Sequence, residues 1–176
     1  MNSSVLKIGS FMIFLLCFLS PMVGDARELD YGVHANIIYR FTKYIDWPEH
    51  TKTGNFVIGV IGETPLYDEL VALTKNKSVG KQDIVIRYFS PDARTYNAHI
   101  IFVSEEESSH LRRVVDVTEG KPVLILTERS GMISKGACIN LVIVSDHLKL
   151  EFGKTNIERR NLKIASELLK LGTIIN

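Results

Sequence analysis

Patterned chemistry is scarce in this chain. Its five histidines, His34, His50, His99, His110 and His147, form no H-x-x-x-H pair, and no C-x-x-C accompanies them. Each reads as a surface or structural side chain, and no metal site is expected. No Gly-x-Ser-x-Gly elbow presents a nucleophile. Glu105, Glu106 and Glu107 are adjacent carboxylates, but they open a helix, where the dipole favours negative charge. Excess charge of either sign is missing too: 21 basic and 20 acidic side chains leave a net charge of +1. Nothing electrostatic therefore points to nucleic acid or to a strongly anionic surface. The turn Gly59–Pro65 joins a strand to a helix start, a place where backbone N–H groups can hold an anion. It matches neither a Gly-x-Gly-x-x-Gly nor a Walker pattern; Glu63 would repel a phosphate, and Pro65 lacks a donor. No catalytic residue, metal or cofactor is expected.

Cysteine is nearly absent, with only Cys17 and Cys138. Cys17 lies in the apolar run Ile8 to Leu19, after Lys7 and before Ser20, Pro21 and the small residues Gly24 and Ala26. That order is a cleaved secretory signal peptide over residues 1–26. The run falls short of the roughly 20 apolar residues a spanning helix needs. Bulky Leu16 before Cys17 argues against lipid attachment. Residues 27–176 then make one domain with a real core. Lys7 and Asp25 leave together, so the net charge is unchanged. An exported protein often uses disulfides, but Cys138 alone cannot close one within its chain. It sits in the strand-like run Gly136 to Val144 and reads as a buried small hydrophobe. The alternatives are a free reactive thiol or an intermolecular bridge.

What the chain does have is strand–helix alternation. Val33, Ile37, Ile38, Phe41 and Ile45 lie on one face of a helix that Trp47-Pro48 halts near Asp46. Strands are expected over 55–61, 83–89, 99–103 and 122–126, with a helix from Pro65 to about Lys75. The capping box Ser104 to Glu107 opens a helix to about Val117. Strands over 137–144 and 148–152 form a hairpin around Ser145-Asp146-His147. A second capping box, Thr155 to Glu158, opens a helix to about Leu171. The expected fold is an α/β three-layer sandwich: a mixed, mostly parallel sheet flanked by helices, with a C-terminal antiparallel hairpin and helix. Tyr44 and Trp47 pair apolar bodies with polar tips, a type enriched at interfaces. They are candidate partner-binding residues; the competing and favoured reading of Trp47 is that it plugs the bottom of the fold.

The assembled pieces resemble the YfiR/HmsC-type family of small exported proteins. Phe41-Thr42-Lys43-Tyr44-Ile45-Asp46-Trp47-Pro48 is similar to its aromatic-Lys-aromatic stretch ending in Trp-Pro. Ile58 to Gly62 is like its first strand. His99 to Ser104, Pro122 to Thr127 and Gly136 to Leu141 follow in order, then Leu148 to Phe152, Asn156 and Leu162 to Leu169. The resemblance implies a periplasmic, non-catalytic protein. It would act as a negative regulator of an inner-membrane diguanylate cyclase, through that enzyme's periplasmic part, and so limit cyclic-di-GMP and biofilm matrix. The redox-sensitive disulfide of some relatives does not carry over, because Cys138 stands alone after export. A homodimer is left open. The competing reading is an exported ligand-binding module or enzyme using the strand ends near Gly62, Ser104 and Thr127, with convergent polar groups in a pocket there.

Overall fold

The computed structural model describes residues 30–175; the leader read over residues 1–26 lies outside them. Helix α1 (Tyr31–Tyr44) starts where the Asp30 carboxylate accepts from Val33 N–H at 3.2 Å. It ends where Ile45 turns extended, ahead of Pro48. Its core face carries His34, Ala35, Ile38, Phe41 and Thr42. The expected stripe is right at Ile38, Phe41 and Ile45, but Val33 is 44 % exposed. The face is rotated toward His34, which keeps the i, i+4, i+7, i+11 spacing with Ile38, Phe41 and Ile45.

Strands β1 (Ile45–Asp46), β2 (Phe56–Ile61), β3 (Ser78–Val79), β4 (Gln82–Tyr88), β5 (Ile100–Val103) and β6 (Leu124–Thr127) come next in chain order. Helices α2 (Leu66–Thr74) and α3 (Leu111–Val117) are interleaved with them. The last third holds β7 (Ile139–Val144), β8 (His147–Phe152), α4 (Lys154–Arg159), β9 (Lys163–Ile164), α5 (Ser166–Leu169) and β10 (Thr173–Ile174). The main sheet runs β10-β8-β7-β6-β5-β2-β4-β3. Its centre, β4-β2-β5-β6-β7, is parallel, with Gly59 beside Ile101 and Ile101 beside Ile125. β8 is antiparallel to β7, the short edge β10 runs parallel to β8, and the other short edge β3 is antiparallel to β4. Strands β2, β5 and β6 are buried at every position, as expected where helices cover both faces of a sheet. Each fully buried Ile or Leu there contributes roughly 1.5–3 kcal/mol.

Right-handed parallel crossovers put α2 and α3 on opposite faces. Helix α1 packs beside α2. On the other face, Arg160 at the end of α4 reaches the end of α3, donating to the carbonyl and hydroxyl of Thr118, both at 3.0 Å. The result is the expected three-layer sandwich.

Two expected helices are corrected. The one opening at Ser104 is first a turn and a 3₁₀ segment, Ser108–His110, and becomes α3 only at Leu111. The single helix expected to reach Leu171 is broken. Asn161 takes a left-handed φ of +56° and stops α4. Ile164 and Lys163 then pair with Ile45 and Asp46 as an antiparallel β1–β9 ladder, and Ala165 N–H donates to Tyr44 O at 2.8 Å. The apolar periodicity of that segment comes from separate short elements covering one core.

Candidate functional site

The parallel strands define two edges. At the amino edge, Trp47 is 4 % exposed. Its ring meets Phe56 edge-on at 5.0 Å, and its indole N–H donates to His99 O at 3.3 Å. His99 stacks on Phe56 and is held twice: Nδ1 accepts from Val57 N–H at 3.1 Å, so the Nε2–H donates to Thr51 O at 3.0 Å. Burial holds its pKa below the ordinary histidine value, against the Thr51 carbonyl. Tyr44 is 39 % exposed. Both Tyr44 and Trp47 line an open groove of about 660 Å³ that Lys43, Lys52, Lys81 and Lys163 also border. Lys52 is paired with Asp46 and Glu49.

At the carboxyl edge, Gly62 has φ +100°, and a Cβ there would collide with Ser104. Glycine is therefore required by both backbone and space. Ser104 is buried and its hydroxyl accepts from Glu107 N–H at 3.4 Å. Thr127 donates to Asn140 Oδ1 at 2.6 Å, and the Asn140 amide donates to Glu151 at 2.8 Å, a chain crossing β6, β7 and β8. Gly62 has no side chain to offer, and those of Ser104 and Thr127 are committed to the scaffold. The pocket at this edge, about 640 Å³, is bordered instead by the residues just after them, Glu105 and Glu128, together with His34 from the first turn of α1 and the hairpin side chains Leu141, Ile143 and Leu148.

His34 is 1 % exposed. Its Nδ1 lies 3.1 Å from Asp30 O. A carbonyl only accepts, so Nδ1 carries a proton, and in the neutral ring Nε2 is a lone pair. Glu128 accepts from Glu105 N–H through Oε1 at 2.9 Å. Its other oxygen, Oε2, is buried without a partner, and so is His34 Nε2. Burial pushes the Glu128 carboxyl up from its usual value, while the Glu105 N–H, His34 and the Tyr31 hydroxyl favour the ionised form. Burial also raises Tyr31, with Thr64 and Glu128 beside it. Among the described residues, no group of three His, Cys, Asp or Glu could hold a metal ion.

Cys138 is fully buried and free, and burial pushes its thiol up. Sequence reasoning missed His34 and Glu128 as pocket residues. The available signal was the spacing of His34 with Ile38 and Phe41 on the core face.

No helix among the described residues is long and apolar enough to cross a membrane. A family model described as YfiR/HmsC-like matches residues 31–173. No curated protein matches the chain.

Proposed function

The chain belongs to the YfiR/HmsC-like family, and from that premise we propose that it is a non-catalytic periplasmic regulator. It restrains an inner-membrane diguanylate cyclase, or a related signalling protein, by docking on that protein's periplasmic part, and so lowers cyclic-di-GMP and matrix production. The observation that carries this reading is the extent of the match, which spans α1 through the start of β10. Membership supports a regulatory role in the periplasm in general; the cyclase and the docking mode are our own step. Residues 1–26 direct export and are then cleaved, leaving 27–176 as the working domain.

The amino-edge groove is the docking surface we favour. Tyr44 offers an exposed ring, Trp47 stiffens the wall behind it, and the lysines would meet an acidic segment of the partner. The test is co-purification from membranes with tagged protein, in parallel with cyclic-di-GMP measurement. Retention of a cyclase, weakened at least tenfold by Tyr44→Ala, together with higher cyclic-di-GMP in a strain lacking the chain, supports the proposal. A protein that retains no membrane component and whose deletion leaves cyclic-di-GMP unchanged refutes it.

A further inference from the structure

His34 and Glu128 both border the carboxyl-edge pocket, and each keeps one buried polar atom without a partner, Nε2 and Oε2. Buried polar atoms are nearly always hydrogen-bonded, and leaving one unmet costs about 1–3 kcal/mol. With Nδ1 committed to the Asp30 carbonyl, a neutral imidazole would present an acceptor at Nε2, and the carboxylate is an acceptor too. Two acceptors bordering one cavity suit a ligand that donates. The surrounding charge has the matching sign. Asp30, Glu105, Glu128 and Asp146 border the pocket against the single cation Arg129, whose guanidinium is drawn to Ser108 Oγ at 2.7 Å. Besides Ser130, the remaining wall is apolar, from Val33, Leu141, Val142, Ile143 and Leu148. The volume, about 640 Å³, is within the usual range for a small-molecule site. A metal would need a third protein ligand that the described residues do not supply.

We propose that this pocket binds a small organic amine in its ammonium form, carried on an apolar body and lacking a carboxylate. Its N–H groups donate to Glu128 Oε2 and His34 Nε2, and its body lies against Leu141, Ile143 and Leu148. A carboxylate on the same ligand would meet the acidic rim and be repelled. This inference goes beyond the regulatory proposal and requires no partner protein.

The probe is phenethylamine, set against phenylacetate, which has the same ring and the opposite charge. Calorimetry and thermal melts use the purified protein at neutral pH. Phenethylamine is expected to bind with a submillimolar Kd and raise the melting temperature; phenylacetate is expected to do neither. Glu128→Gln should weaken amine binding at least tenfold. In the wild-type protein the ¹⁵N resonance of His34 Nε2 should move on amine addition, a readout that stands even where the Glu128 variant fails to fold. The proposal is overturned by any of four results: no binding at millimolar amine, equal binding of phenylacetate, an unchanged Kd in folded Glu128→Gln, or a crystal structure in which one ordered water bridges the two atoms and excludes the amine. Membrane retention of a cyclase is unaffected by each of these, so the two proposals fail separately.

Discussion

At Glu128 the fold and the pocket make opposite demands. The carboxylate is half-buried, with Oε1 hydrogen-bonded and Oε2 buried without a partner, and its pKa lies above the unfolded value, chiefly through burial. A carboxyl with a raised folded pKa binds its proton more tightly in the native state. Its ionisation therefore removes stability as pH rises from the unfolded pKa through the folded one. Without ligand, Glu128→Gln should raise the melting temperature at pH 7 by ~2–4 °C, the shift that 1 kcal/mol makes in a chain of this length. The gain should fade below pH 4, where both forms are neutral; thermal melts across that range are the check. Cys138 supports a simpler expectation. Its thiol is fully buried and its pKa is raised, so in the processed chain, residues 27–176, a thiol reagent should label it only in denaturant. Burial of Cys138 is legible from its apolar neighbours. The pairing of His34 with Glu128 is not, because residues far apart in the chain meet only once α1 lies over the carboxyl edge. A rotation of about a third of a turn in the assumed helix face, toward Val33, is enough to hide His34.

Among the elements, the central strands announce themselves through continuous apolar runs, which only a doubly covered sheet requires. The β7–β8 hairpin is readable too, but its turn is shorter than expected: Ser145 and Asp146 alone take positive φ, and His147 already pairs with Val144 as the first residue of β8. The segment after β8 defeats the same reasoning. Its period fits one long helix, but Arg160 turns inward and Asn161 reverses the chain. Arg160 is the clamp here: its guanidinium donates to the Thr118 carbonyl and hydroxyl and to Val115 O at 3.4 Å, at the end of α3. The negative end of that helix takes the place of a carboxylate partner. Burial lowers the Arg160 pKa, opposed by nearby Cys138 and Glu119, while the helix-end acceptors satisfy the guanidinium N–H groups. Arg160→Met strands those acceptors and should destabilise the protein by roughly 2–3 kcal/mol, read as a lower urea midpoint with an unchanged m-value. Arg160→Lys should recover little, because one ammonium cannot fork to both Thr118 and Val115.

Across the whole molecule, α1 joins the two edges. Its first turn places His34 in the carboxyl-edge pocket, and its end delivers Tyr44 and then Trp47 to the amino-edge groove. The ten residues from His34 to Tyr44, at about 1.5 Å each, separate the sites by roughly 15 Å. Coupling over that distance needs an element with two arrangements that both sites bias. Helix α1 offers no sign of one: its middle is fixed in the core by Ile38 and Phe41, both fully buried, and its end is tied to Ala165 and the β1–β9 ladder. Sites further apart than about 10 Å with no shared partners behave additively within about 0.5 kcal/mol. Tyr44→Ala should therefore leave the phenethylamine Kd unchanged within about twofold, the span 0.5 kcal/mol allows. Saturating amine should leave retention of the membrane partner equally unchanged, because binding linkage is reciprocal. A tenfold shift in either measurement would show that α1 moves as a lever between the edges, and the pocket would then be the input of the regulator rather than a neighbour to it.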